Sequence, residues 1–269
     1  MGEAVLKYFL HNGKEYEVNN FDIIYKELSP SIYEVIRLIN GKPVFLEDHI
    51  ERLNNSAKLL GVNYSADLNE MKRQIVHLAN INNIQNYNVK IVVNNFNDPN
   101  VYLFFIKSIY PTEYDYENGV KTTLYKATRE NPNAKVINSQ LREKINNYLK
   151  ENNLYEAILV NNNDEITEGS RSNIFFIKNN TLYTAPKEDV LVGITRIKVI
   201  EIAKNLGFEV VERKIKVDQI NDFEACFLTG TSPKVLPISH IDDKAFDVKN
   251  TVLKKIMAEY DKKCHPSEM

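Results

Sequence analysis

The chain has only two cysteines, and they cannot set its architecture. Cys226 lies in an apolar, strand-like run and Cys264 in a polar tail, so there is neither metal-ligand spacing nor a disulfide framework, and reduced thiols are expected. The five histidines, His11, His49, His77, His240 and His265, form no His-Glu-x-x-His or Cys-His group, so no metal centre is expected. No apolar run approaches the roughly 18 residues of a membrane span, and Met1 to Leu10 carries no signal-peptide pattern. A cytoplasmic protein without a membrane partner is the expectation. A surplus of positive charge is also missing. Lys and Arg number 34 against 36 Asp and Glu, for a formal net charge of -2, and their mixing along the chain leaves no basic face for nucleic acid. No Gly-x-Gly-x-x-Gly or Walker segment occurs, which argues against a doubly wound dinucleotide fold.

Glycine is scarce as well, and three of the nine glycines share a context. Gly169, Gly193 and Gly230 lie in Thr167-Glu168-Gly169-Ser170, Gly193-Ile194-Thr195 and Thr229-Gly230-Thr231-Ser232. Glycine lets backbone N–H groups approach an anion, and adjacent hydroxyls add donors, so the three turns suggest a phosphate-bearing ligand. Each also reads as an ordinary strand end.

At 269 residues the chain suffices for two compact domains or one large one. Asn12-Gly13 and Asn40-Gly41 mark hairpins between Tyr8 to Leu10 and Glu15 to Val18, and between Tyr33 to Ile39 and Pro43 to Leu46. Ile50, Leu53, Ala57 and Leu60 then give a helix opening with Glu47 and Asp48, with His49, Arg52 and Ser56 on a neighbouring stripe. Leu68, Met71, Ile75 and Leu78 give a second helix from about Ser65, and Val89 to Val93 and Val101 to Ile106 read as buried strands. Residues 1–110 form an expected N-terminal α/β sandwich-like domain, and residues 111–118 an aperiodic, turn-prone linker. Residues 119–269 form a larger, strand-rich domain. There the expected strands are Val120 to Tyr125, Glu156 to Val160, Ile174 to Ile177, and others near Val210 and Phe227. Helices are expected over Asn138 to Leu149, over Thr195 to Leu206 and from Val248. The fold class is α+β.

Three positions could carry chemistry. Gly193-Ile194-Thr195 precedes a helix, so its N–H groups and the Thr195 hydroxyl suit a phosphate, although Thr195 could serve only as an N-cap. Glu168 sits at a turn between two strand-like runs, where a carboxylate could keep a pyridine nitrogen protonated or simply face solvent. Lys135 follows Pro132-Asn133-Ala134 and precedes Val136-Ile137. That apolar setting favours an amine nucleophile, although most lysines in the chain are solvated.

The ordered series Tyr33-Glu34-Val35, Glu47 to Leu53, Pro132 to Lys135, Thr167 to Asn173, Gly193 to Arg196 and Thr229 to Thr231 resembles class IV aminotransferases. Those are fold-type IV enzymes that use pyridoxal 5'-phosphate, and they include D-amino-acid and branched-chain aminotransferases and 4-amino-4-deoxychorismate lyase. The resemblance covers nearly the whole chain. It implies a homodimer that moves an amino group between an amino acid and a 2-oxo acid with ping-pong kinetics, Lys135 forming the aldimine with the cofactor. Glu168 is implied to hold the pyridinium nitrogen. Arg52, Ile194, Thr195 and Thr231 are implied to hold the phosphate, Tyr33 to border the substrate, and Asn173 to support the Glu168 turn. A lyase eliminating pyruvate, or a silent relative kept as an interaction module, would share much of this pattern.

Substrate choice is not implied. The stretch Tyr110 to Tyr114 lacks an Arg-x-His carboxylate trap, Val136-Ile137-Asn138-Ser139 replaces a Gly-Gly-Asn-Tyr segment, and Ser29-Pro30-Ser31 replaces a glycine-rich turn. Arg171 is a candidate ligand for a substrate carboxylate, or else a member of a surface or interface ion pair.

Overall fold

The first hairpin forms around its Asn-Gly signal. In a computed structural model of the chain, which describes residues 3–128, 135 and 139–265, β1 (Ala4–His11) and β2 (Lys14–Glu17) pair antiparallel around Asn12 and Gly13. Both turn residues have positive φ, 48° and 76°, the backbone that this dipeptide favours. Asn40 and Gly41 repeat the geometry, at 51° and 74°, between β3 (Ile32–Ile39) and β4 (Lys42–Pro43).

Two compact units divide the described residues, one of 3–109 with Lys135, the other of 110–128 with 139–265. Lys135, expected with the C-terminal part, therefore groups with the first. That unit also contains α1 (Phe21–Ile24), α2 (Leu46–Leu59), α3 (Leu68–Ile81), β5 (Tyr87–Asn94) and β6 (Asn100–Ile106). Its six strands form one antiparallel sheet in the order β2-β1-β6-β5-β3-β4.

The period of two along each strand decides what this sheet covers. Ile36, Leu38, Val89, Ile91 and Val93 face α2 and α3 and pack on Ile50, Leu53, Ala57, Met71, Ile75 and Leu78. Each such burial contributes about 1.5–3 kcal/mol. The opposite face carries an aromatic cluster of Phe9, Phe21, Tyr33, Tyr102 and Phe104. Helix α3 starts three residues later than expected because the Asp67 side chain accepts the Glu70 N–H at 2.7 Å and caps it there.

The second unit opens with a helix where the sequence showed no period. Helix α4 (Glu113–Asn118) occupies the expected linker, closed by a reciprocal capping box between Thr112 and Asp115. The unit continues with β7 (Val120–Lys126), α5 (Ser139–Glu151), β8 (Glu156–Val160), β9 (Glu165–Gly169), β10 (Asn173–Lys178) and β11 (Thr181–Thr184). Then follow α6 (Ile194–Asn205), β12 (Glu209–Glu212), β13 (Ile215–Lys216), β14 (Ala225–Gly230), β15 (Lys234–Ile241), β16 (Lys244–Ala245) and α7 (Thr251–Cys264).

Nine of these strands form a mixed sheet in the order β12-β11-β10-β14-β15-β7-β8-β9-β13, with β16 paired to β15. Parallel β7 and β8 need a crossover, and α5 supplies it, Ile145 and Leu149 packing on Ala157 and Leu159. Helices α6 and α7 pack on each other, on β14, and α7 also on β15. Both cysteines are buried and neither is in a disulfide among the described residues; Cys264, expected in a polar tail, lies on the buried side of α7. Among the described residues no helix is long and apolar enough to cross a membrane.

Candidate active site

Strand β3 alternates faces between Tyr33 and Glu34, and this alternation builds the first cluster. Glu34 points to α2 and is fully buried; two helical positions three apart, His49 and Arg52, meet it. Arg52 donates from Nε to Glu34 Oε1 and from Nη2 to Oε2, both at 2.7 Å, a two-pronged pair that fixes the guanidinium plane. His49 Nδ1 lies 2.7 Å from Oε2. Burial would push the Glu34 carboxyl up, but the charge and hydrogen bonds of Arg52, with those of His49, outweigh it and hold the group well below the usual carboxylate range. Burial pushes His49 down, the Arg52 and Lys135 charges add to this, and the Glu34 contact opposes them. The result is a neutral imidazole whose Nδ1–H donates to an ionised carboxylate.

Lys135 meets the same elements. Its carbonyl accepts the Tyr33 N–H at 3.2 Å, its N–H donates to Ser56 Oγ at 3.4 Å, and the Ser56 hydroxyl donates to the Arg52 carbonyl at 2.9 Å. Its Nζ stands 4.6 Å from the centre of the Tyr33 ring. On the same sheet face Lys90 Nζ stands 5.0 Å from that ring and donates to both Glu3 carboxylate oxygens, at 2.7 and 2.6 Å. The expected residues Tyr33, Arg52 and Lys135 are thus brought together. The segment Pro132-Asn133-Ala134 and Val136-Ile137, used to argue for Lys135, lies outside the described residues.

The second cluster centres on Glu168, which is on strand β9 and buried, not at a solvent-facing turn. Its Oε2 accepts the Leu191 N–H at 3.1 Å and Asn173 Nδ2 at 3.3 Å, while the same Asn173 amide donates to the Leu191 carbonyl at 2.8 Å. Asn173 also explains Gly193. A Cβ on Gly193 would lie 2.2 Å from Asn173 Oδ1, so glycine is needed for close approach, its φ of -68° being ordinary. Gly193, not Thr195, is the N-cap of α6; lacking a side chain, it leaves the first turn without a side-chain acceptor. The Thr195 hydroxyl lies 3.1 Å from the Tyr260 hydroxyl on α7, and Ile194 and Thr195 are both buried.

Gly169 is a second close approach, its Cβ position 2.1 Å from Ser172 Oγ. The turn there is organised by buried Glu156, which no motif had marked. Its Oε1 accepts the Ala157 N–H at 2.9 Å and Ser170 Oγ at 2.6 Å, and its Oε2 accepts Ser172 Oγ at 3.0 Å and the Arg171 N–H at 3.3 Å. Arg171 itself is exposed, donates to the Tyr155 carbonyl at 3.2 Å, and makes no ion pair among the described residues. Thr231 lies in the turn between β14 and β15. Just before it Thr229, which pairs in register with Asn173, has a buried Oγ1 without a hydrogen-bond partner among the described residues.

The Amino-transferase class IV family model matches residues 31–241. The chain belongs to this family. It is 32% identical over 257 residues to "Probable branched-chain-amino-acid aminotransferase" of Rickettsia typhi, covering 89% of each chain. It is 28% identical over 228 residues to "D-alanine aminotransferase" of Bacillus licheniformis, covering 80% of each. Its fold matches the branched-chain amino acid aminotransferase of Thermobaculum terrenum in its PLP form with a TM-score of 0.82 at 20% identity, over 99% of this chain and 96% of that one.

Class IV aminotransferases are pyridoxal 5'-phosphate enzymes, and the two clusters fit that cofactor's chemistry. An amine and a guanidinium stand in the first. A buried carboxylate held by two N–H donors, a helix start without a side-chain cap and an orphaned buried hydroxyl stand in the second.

Proposed function

We propose that this class IV aminotransferase moves an amino group between an amino acid and a 2-oxo acid, with Lys135 as its catalytic residue. The observation that carries the reading is the Lys135 amine held 4.6 Å from the centre of the Tyr33 ring, on a residue whose N–H meets Ser56, one helical turn from Arg52. When bound, the cofactor supplies an aldehyde for the amino group and an electron-accepting pyridine ring. Lys135 Nζ would hold that aldehyde and, as a free amine, would move a proton from the substrate α-carbon to the former aldehyde carbon. Glu168, kept in place by Leu191 and Asn173, holds a proton at the ring nitrogen. Arg52, the Ile194 N–H and the Thr195 and Thr231 hydroxyls bind the phosphate. Tyr33 borders the substrate, and Arg171 meets its second carboxylate where one is present. Two half-reactions share one site, so the kinetics are ping-pong. The enzyme acts as a homodimer in the cytoplasm.

Borohydride reduction of the holoenzyme tests the centre of this reading, with the pyridoxyl group expected on the peptide containing Lys135. A label elsewhere, or none, would overturn it. Substrate follows from oxo-acid release when L-leucine, L-valine, L-isoleucine and D-alanine are each paired with 2-oxoglutarate or pyruvate. Release of 4-aminobenzoate from aminodeoxychorismate, with no amino transfer, would instead make the chain a lyase. Arg171→Ala is expected to raise KM for dicarboxylic substrates alone, and unchanged kinetics would remove Arg171 from the substrate site.

A further inference from the structure

Glu34 takes part in no step above, yet it is a fully buried carboxylate in the middle of the first cluster. Burying a charge is costly, and one that persists in a core does so by being fully bonded. Among the described residues the bonds of its carboxylate lead to α2: two from Arg52 and one from His49. Arginine presents its N–H donors in a rigid planar fork, so fixing the Nε–Nη2 edge fixes the direction of the remaining donors. Without that restraint the long side chain samples several rotamers and loses conformational entropy each time it meets an anion.

We propose that Glu34 is a positioning residue for Arg52, presetting the guanidinium plane for the cofactor phosphate and governing affinity through the phosphate end alone. His49 completes the arrangement with a further bond to Oε2, the oxygen that Arg52 Nη2 also meets. The inference rests on the reading of Arg52 as a phosphate ligand.

The test compares two ligands differing only in the phosphate, pyridoxal 5'-phosphate and pyridoxal, titrated by equilibrium dialysis into the cofactor-stripped protein. In Glu34→Gln the affinity for pyridoxal 5'-phosphate is expected to fall roughly ten- to a hundredfold, the range of a hydrogen bond to a charged group, with pyridoxal within about twofold of wild type. Glu34→Asp keeps the charge but shortens its reach; it is expected to show an intermediate loss confined to the phosphorylated ligand, and it stands in if the Gln variant does not fold. Equal losses for both ligands, or none for either, would overturn the proposal and leave Glu34 a structural residue. Arg52→Ala separates the two readings. If it leaves the preference for the phosphorylated ligand as in wild type, Arg52 is not a phosphate ligand; if it reduces that preference while the Glu34 variants keep it, only the positioning role fails.

Discussion

At the scale of single residues, His49 shows how the site is tied to stability. Its proton is taken up more readily by the unfolded chain, whose histidine keeps the ordinary value of 6.5, than by the buried imidazole. Stability therefore falls as the pH drops below about 6.5 toward the lowered native value. Glu34, held below its ordinary 4.5, adds a contribution that is complete above that value and is lost as the pH falls further. Denaturant unfolding at a series of pH values should show both phases, and His49→Gln should flatten the first. A slope identical to wild type between pH 6.5 and 5 would contradict this account. For Lys135, replacement by Ala should lower kcat roughly 10²–10⁴-fold, measured as oxo-acid release. Some of this chemistry was legible and some was not. Arg52 and Lys135 stand in motifs, but nothing local marks Glu156, a lone glutamate whose partners, apart from the Ala157 N–H, lie 14 to 16 residues away. Lys90 left a fainter sign, a charge inside the apolar strand Tyr87–Asn94.

Elements were readable where their own period or turn chemistry fixed them. Helix α2 and both Asn-Gly hairpins needed no tertiary help, whereas β9 depends on pairing. Its residues Glu165–Gly169 contain two glutamates and a glycine, poor strand formers, and become a strand because β8 on one side and β13 on the other take up the backbone. Helix α4 was missed for another reason: at six residues it has no room for a period, and its Thr-x-x-Asp box is the only signal. The turn after β9 makes a prediction at this scale. Glu156→Ala removes the acceptor for two hydroxyls and two N–H groups, and should cost about 2–4 kcal/mol in denaturant unfolding. Substituting the carboxylate of Glu168, which meets Leu191 and Asn173, should cost less stability and more activity.

On the scale of the whole molecule, the chain carries two sheets of different construction, an antiparallel one in the first unit and a mixed one in the second. A ligand that binds only the folded chain stabilises it by an amount that grows with the logarithm of its concentration above Kd. At a hundred times Kd the cofactor should therefore add about 2.7 kcal/mol. That corresponds to a rise in Tm of roughly 5–10 °C, measurable by calorimetry, and Arg52→Ala should diminish it.

The ordinary backbone angles of Gly193 and Gly169 carry a warning for protein engineering. A thermostabilisation campaign that selects glycines by permissive φ, expecting the entropic gain of Gly→Ala, would choose both. At each, a methyl would enter space already held by a side-chain oxygen, 2.2 Å away at Asn173 and 2.1 Å away at Ser172. The screen would then select against function while scoring for rigidity, and the loss would first be visible in holoenzyme yield.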